Sequence, residues 1–168
     1  MSEGVRRQGT VGRVVAILLA LIALSGCVPT FSDPESDGTP TPDYGSIRYD
    51  PEPLIEYFPL IGQPKSVAWR TWNNASGRVP GPTIYWIEAV VGLTEETAAT
   101  LRSRFASAEQ VQAPRVKGDL NSSVPGGSYL SGRELDTALG GSAKWGGGAN
   151  GYLHRDQPTL VVLASTGG

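Results

Sequence analysis

The chain has 168 residues, room for one ordinary domain with terminal extensions, and two folded domains would be crowded. Its formal net charge of -2 includes no basic stripe of the kind that nucleic-acid binding requires. Cys27 is the one cysteine, which excludes an intrachain disulfide framework and a cysteine-built metal site, while 22 Gly and 13 Pro point to a loop-rich fold with an extended tail.

Residues 1 to 13 are polar and carry Arg6, Arg7 and Arg13, and Val14 to Leu24 form an uninterrupted apolar run. A membrane-spanning helix needs roughly 20 such residues, so the run has the length and flanks of a secretory signal peptide instead. It ends in Leu24-Ser25-Gly26-Cys27, which resembles the lipobox of bacterial lipoproteins. That resemblance implies a diacylglycerol thioether on the Cys27 sulfur and cleavage between Gly26 and Cys27. It also implies attachment to the outer face of the cell membrane. Small side chains at Ser25 and Gly26 suit close approach of a peptidase. Two acyl chains at ~0.8 kcal/mol per buried CH₂ supply on the order of 20 kcal/mol, enough to hold the chain without a protein span. Arg6-Arg7 also admits a twin-arginine export signal, but Gln8, Gly9 and Thr10 lack the apolar residues that follow the pair in that family, which favours the general secretory route.

Residues 28 to 56 hold seven acids against the single base Arg48, and Pro29, Pro34, Pro40, Pro42, Pro51 and Pro53 are interleaved with small polar residues. Such a stretch buries too little apolar area to offset its ordering entropy. The predicted organisation is therefore a signal peptide over 1–26, a lipidated cysteine and disordered acidic tether over 27–56, and an extracytoplasmic domain over 57–168. That domain carries 10 bases against 8 acids. The apolar patch at Leu54, Ile55, Tyr57, Phe58, Leu60 and Ile61 marks where the tether docks on it.

Within the domain, Val67–Trp72 and Thr83–Val91 are rich in β-branched and aromatic residues and flank a Gly/Pro/Asn loop, which predicts an antiparallel pair. Thr94-Glu95-Glu96 starts a helix whose apolar stripe is Ala98, Leu101, Phe105 and Ala108. Ser131-Gly132-Arg133-Glu134 has a capping-box pattern ahead of Leu135, Ala138 and Leu139, with Gly140 and Gly141 as the stop. Gly151–Arg155 and Thr159–Ala164 predict a closing hairpin. The expected fold is α+β in the order β-β-α-α-β-β: one antiparallel sheet of about four strands with two helices packed on one face.

Chemistry-bearing residues are sparse. His154 is the sole histidine, with Asp156 nearby in sequence and neither a Gly-x-Ser-x-Gly elbow nor a metal-ligand pair beside it. A surface or edge-strand histidine is the simpler reading. Glu88 lies in the most apolar strand, where burial would raise its pKa, or where it faces outward or pairs with Arg70. The glycines at 140, 141, 146, 147, 148 and 151 match neither the P-loop nor the dinucleotide spacing and read as a flexible loop. If Trp72 pairs with Thr83, Trp69 lies opposite Trp86. Such a pair is either sheet packing or, on an uncovered face, a platform for sugar rings or a partner protein.

Arg78-Val79-Pro80-Gly81-Pro82-Thr83, followed by Tyr85-Trp86 and by Leu93-Thr94, is similar to uncharacterised lipoproteins of high-GC Gram-positive bacteria. The bias of 11 Arg over 3 Lys agrees with such a source. No activity transfers from that resemblance. With no catalytic set in view, the expectation is a membrane-anchored binding or interaction module for an envelope protein or glycan, with Trp69 and Trp86 as its candidate site and no cofactor, metal or nucleic-acid partner. The alternatives are a small envelope hydrolase using His154 or Glu88, and a purely structural or inhibitory module.

Overall fold

The computed structural model describes residues 44–75, 81–140 and 142–167; Gly26, Cys27 and the tether as far as residue 43 lie outside them. The two aromatic-rich stretches form β1 (Ser66–Asn73) and β2 (Tyr85–Gly92), joined antiparallel. Chain reversal is held by Asn74, whose backbone N–H donates to Ile84 O at 3.3 Å and whose side-chain oxygen accepts from Ile84 N at 2.8 Å. At the far end of β2 the Thr94 hydroxyl accepts from Thr97 N at 3.1 Å, capping α2 (Glu95–Arg104) with Glu95 and Glu96 in its first turn, as the sequence predicts. Ala98, Leu101 and Phe105 are buried, and Ala108 is packed against the same core.

Two strands escaped the sequence reading, β3 (Glu109–Gln112) and β4 (Ser128–Ser131). Each is four residues long, β3 with one apolar residue and β4 with Tyr129 and Leu130 adjacent, so neither shows apolar alternation. Pairing to an existing sheet edge makes them strands. Ser131 is thereby committed opposite Glu109, and the expected capping box does not form: α3 (Arg133–Leu139) has Gly132 at its N-cap with no side-chain cap bond. The closing hairpin is present as β5 (Gly148–His154) and β6 (Thr159–Thr166). It begins within the glycine-rich stretch read as a loop.

The result is α+β with a single antiparallel sheet of six strands, ordered β1-β2-β6-β5-β4-β3, rather than about four. Alternation assigns Val67 and Trp69, Ile87, Ala89 and Val91, Leu160 and Val162, and Leu153 to one face, where they join Leu101 of α2 and Leu135 and Leu139 of α3 in the main core. A fully buried Leu contributes about 1.5–3 kcal/mol. Contact with α3 is close because β5 has Gly151 there: a Cβ at that position would lie 2.8 Å from Leu135 Cγ. The same glycine's N–H donates to Asp136 Oδ1 at 2.8 Å.

Folded structure also begins ahead of the boundary expected at residue 57. The short helix α1 (Glu52–Tyr57) follows Pro51 and buries Leu54, and Phe58 packs beside it with its ring 6.0 Å from that of Trp145. Further upstream, Arg48 bridges antiparallel to Trp69 along the open edge of β1. The patch from Leu54 to Ile61 docks on the core as predicted.

The opposite face of the sheet is covered unevenly. Val90, Val161 and Tyr129 are buried there beneath Val116 and Leu120, which belong to the segment between β3 and β4 that includes the 3₁₀ turn Gly118–Ser123. At the end of the sheet near Asn73 and Thr166, this face is open.

Candidate functional site

Register decides which tryptophans are available. The pairing is Trp72↔Trp86, Arg70↔Glu88 and Trp69↔Ala89. The expected Trp69–Trp86 pair is three residues out of register, an odd slip that exchanges the two faces of one strand. In the expected register Glu88 and Trp86 would share a face with Val67 and Trp69. The observed register instead gathers Val67 and Trp69 with Ile87, Ala89 and Val91 under the helices, and sets the two charged side chains opposite each other. Trp69 is accordingly 1% exposed, its indole N–H donating to Asp50 O at 3.0 Å and the Arg48 guanidinium lying 4.1 Å from its ring centre. It is a core residue and does not form a platform with Trp86.

Trp72 takes its place. The Trp72 and Trp86 rings stack with centres 6.0 Å apart and planes inclined by 16°. Both are half-buried, and Tyr44 meets Trp72 edge-on at 5.4 Å. Lys117 reaches over from the β3–β4 segment, its ammonium 4.9 Å from the Tyr44 ring centre and 6.0 Å from that of Trp72. Beyond Trp86 the sheet runs through Ser165 to Gly148, and in the next row from Glu88 through Leu163 to Asn150. Two indoles thus form a wall beside a floor of Ser165, Gly148, Leu163 and Asn150. The resulting groove has a volume of about 610 Å³, with Trp72, Trp86, Glu88, Lys117, Asn150 and Ser165 among its lining.

Glu88 sits at the foot of the wall, 7% exposed, and one carboxylate oxygen accepts the Lys117 backbone N–H at 2.7 Å. Burial raises its pKa above the ordinary 4.5, against the lowering effects of that hydrogen bond and of the Lys117 and Arg70 charges. Arg70 is 4% exposed beneath Gly118, and its guanidinium reaches Asp119 at 3.5 Å. Its Nε has no hydrogen-bond partner among the described residues. The Arg70–Glu88 proximity foreseen from sequence is therefore a direct cross-strand pairing, although each group finds its contact in the covering segment.

His154 is elsewhere, buried on the interior strand β5 rather than at the surface or on an edge strand. It is 2% exposed, and Nδ1 accepts from both Asp156 N and Gln157 N at 3.0 Å. With Nδ1 occupied as an acceptor, the proton is on Nε2, which donates to Gly126 O at 3.1 Å. The ring lies against Tyr129, centres 4.8 Å apart. Arg102 of α2 fastens the same corner by donating to His154 O at 3.1 Å. Both ring nitrogens are committed to the backbone, so this imidazole ties the β5–β6 turn to the Gly126 loop.

Among the described residues no group of three His, Cys, Asp or Glu side chains is placed to hold a metal ion, and no helix is long and apolar enough to cross a membrane. Tyr44, Lys117, Asn150 and Ser165 went unnoticed in the sequence because nothing local marks them; they reach the groove from four separated segments. Trp72 stands out in an aromatic-rich strand, and its cross-strand partner is Trp86 rather than the expected Thr83. Comparison of the chain with protein-family models, curated proteins and solved structures finds no match.

Proposed function

We propose that this chain is a lipid-anchored extracytoplasmic binding module that engages an envelope component through the groove beside Trp72 and Trp86. The observation that carries the binding role is a stacked indole wall left half-exposed on the sheet face that the helices do not cover. A stacked pair whose only role was packing would gain more by being buried on both sides. Leu24-Ser25-Gly26-Cys27 supports the anchor, and the acidic, proline-rich residues that follow support a spacer between membrane and domain. The module performs no reaction in this reading.

Two measurements test it. Intact-mass analysis of the wild type and of Cys27→Ser should show acylated, membrane-bound material only for the wild type; equal masses and equal membrane association would remove the anchor. Quantitative recovery of envelope components on the detergent-solubilised full chain should fall for Trp86→Ala. Undiminished recovery would remove the groove from the function.

Glu88, with its raised pKa and its place in the groove, keeps a hydrolytic reading in view. That reading requires turnover that Glu88→Gln abolishes while leaving ligand affinity intact, whereas a binding module shows no turnover with either form.

A further inference from the structure

We infer that the groove takes a pyranose ring of a neutral or N-acetylated saccharide, laid against the face of Trp86 that Trp72 does not cover. This rests on reading the groove as a ligand site. Trp86 makes its ring contact with Trp72 on one side. On the other, the neighbouring position across the sheet is Ser165 and the next is Gly148, too small to cover an indole. A Cβ built on Gly148 meets nothing within 4 Å, so space is open at floor level beside the ring. A flat apolar wall over a floor in which Glu88, Asn150 and Ser165 surround Leu163 matches a sugar ring, which presents a patch of C–H groups on its face and hydroxyls around its rim.

The polar groups match that rim. Asn150 offers a carbonyl and an amide, Ser165 a hydroxyl that both donates and accepts, and Glu88 a charge-assisted acceptor for neighbouring hydroxyls. An acetamido substituent would meet the Asn150 amide with complementary donor and acceptor.

Charge and size weigh against other occupants. A phosphate-bearing or otherwise anionic ligand would meet the Glu88 carboxylate, and the lining cation, Lys117, is already engaged over the Tyr44 and Trp72 rings. A concavity of about 610 Å³ falls within the range of small-ligand sites, about 300–1,000 Å³.

The test is a titration of the full chain in detergent, following tryptophan fluorescence and calorimetric heat. The probes are an N-acetylglucosamine tetramer and a maltose-series tetramer, with adenosine monophosphate and a proline-rich peptide as comparisons. Saccharide binding is expected, weakened about tenfold or more by Trp86→Ala, equivalent to about 1.4 kcal/mol. Gly148→Phe should weaken it as much by filling the floor while leaving both indoles in place, and its circular dichroism should match wild type. Saccharide binding unchanged in both variants places the sugar elsewhere and overturns the inference. If neither tetramer binds but both variants lose recovery of an envelope component, the saccharide assignment falls and the groove reading stands. If neither tetramer binds and neither variant alters recovery, both fall.

Discussion

Replacing Trp69 and Trp86 by alanine separates a core indole from a groove indole. Trp69 is 1% exposed and packed in the main core, where a Trp→Ala change costs about 3–5 kcal/mol through lost transfer energy and an unfilled cavity. Its N–H bond to Asp50 O, 3.0 Å long, adds about 1 kcal/mol, because the variant leaves that carbonyl without its donor. Trp86 is half-buried and loses chiefly its stacking on Trp72, worth about 0.5–1.5 kcal/mol. The difference between the two is then roughly 2.5–5.5 kcal/mol. With a urea slope of about 2 kcal/mol per M, the Trp69→Ala midpoint should fall about 1.3–2.8 M below that of Trp86→Ala. Urea titrations of the full chain in a non-ionic detergent, read by circular dichroism, measure both. A double-mutant cycle adds the register: Trp72 and Trp86 should couple by about 0.5–1.5 kcal/mol, and Trp69 and Trp86, on opposite faces of the sheet, by less than about 0.5. Trp69→Phe, which keeps ring bulk, supplies a folded form if the alanine variant is too unstable to titrate. Equal losses for Trp69→Ala and Trp86→Ala, or coupling between Trp69 and Trp86, would show that the assigned register is wrong.

His154→Ala should destabilise the domain by about 2–4 kcal/mol, since two turn N–H groups and the Gly126 carbonyl lose their partners. Hydrogen exchange should show amides of residues 155–157 and of the Gly126 loop opening together, and independent protection of the two would refute the link. Gly151→Ala should cost about 1–3 kcal/mol because its methyl meets Leu135 and Leu139 of α3. A thermal midpoint equal to wild type would mean that α3 does not sit directly on β5. Glu88→Gln tests the raised carboxyl. A group that binds its proton more tightly in the folded chain contributes stability that is complete below 4.5 and lost as pH rises through the higher folded value. The permanently neutral variant should therefore gain on wild type as pH rises through that window in a series of urea titrations. Wild type gaining on the variant would reverse the sign and the argument.

The groove was legible only in part. Aromatic richness in two neighbouring strands announced a paired sheet and the prospect of an indole pair, and the loop beyond Asn73 was evident from Gly and Pro. The partner of Trp86 was not legible, since a hairpin's register follows from loop geometry and from which set of side chains the helices bury. Glu88 posed the same problem. Its neighbours in sequence are apolar, and its place opposite Arg70 emerges only when both strands are aligned. His154 carried an expectation of surface exposure, typical of a histidine one residue from a turn, and the turn's own N–H groups instead drew its ring inward.

Local rules settled what local energies control. Thr94 caps the helix that its two following glutamates favour, Ala98, Leu101 and Phe105 line one side of it, and two hairpins stand where β-branched and aromatic runs flank turn residues. Each depends on residues within a turn or two of one another, so a linear reading suffices. Only the folded chain could decide that Trp69 is core and Trp72 is wall, that the short tetrapeptides at Glu109 and Ser128 complete the sheet, and that Tyr44 and Lys117 meet over the indoles. Those outcomes compare the burial of whole faces, built from segments far apart in sequence. A one-residue shift of a strand exchanges its buried and open sides, and no property of that strand alone shows which side the rest of the molecule will cover.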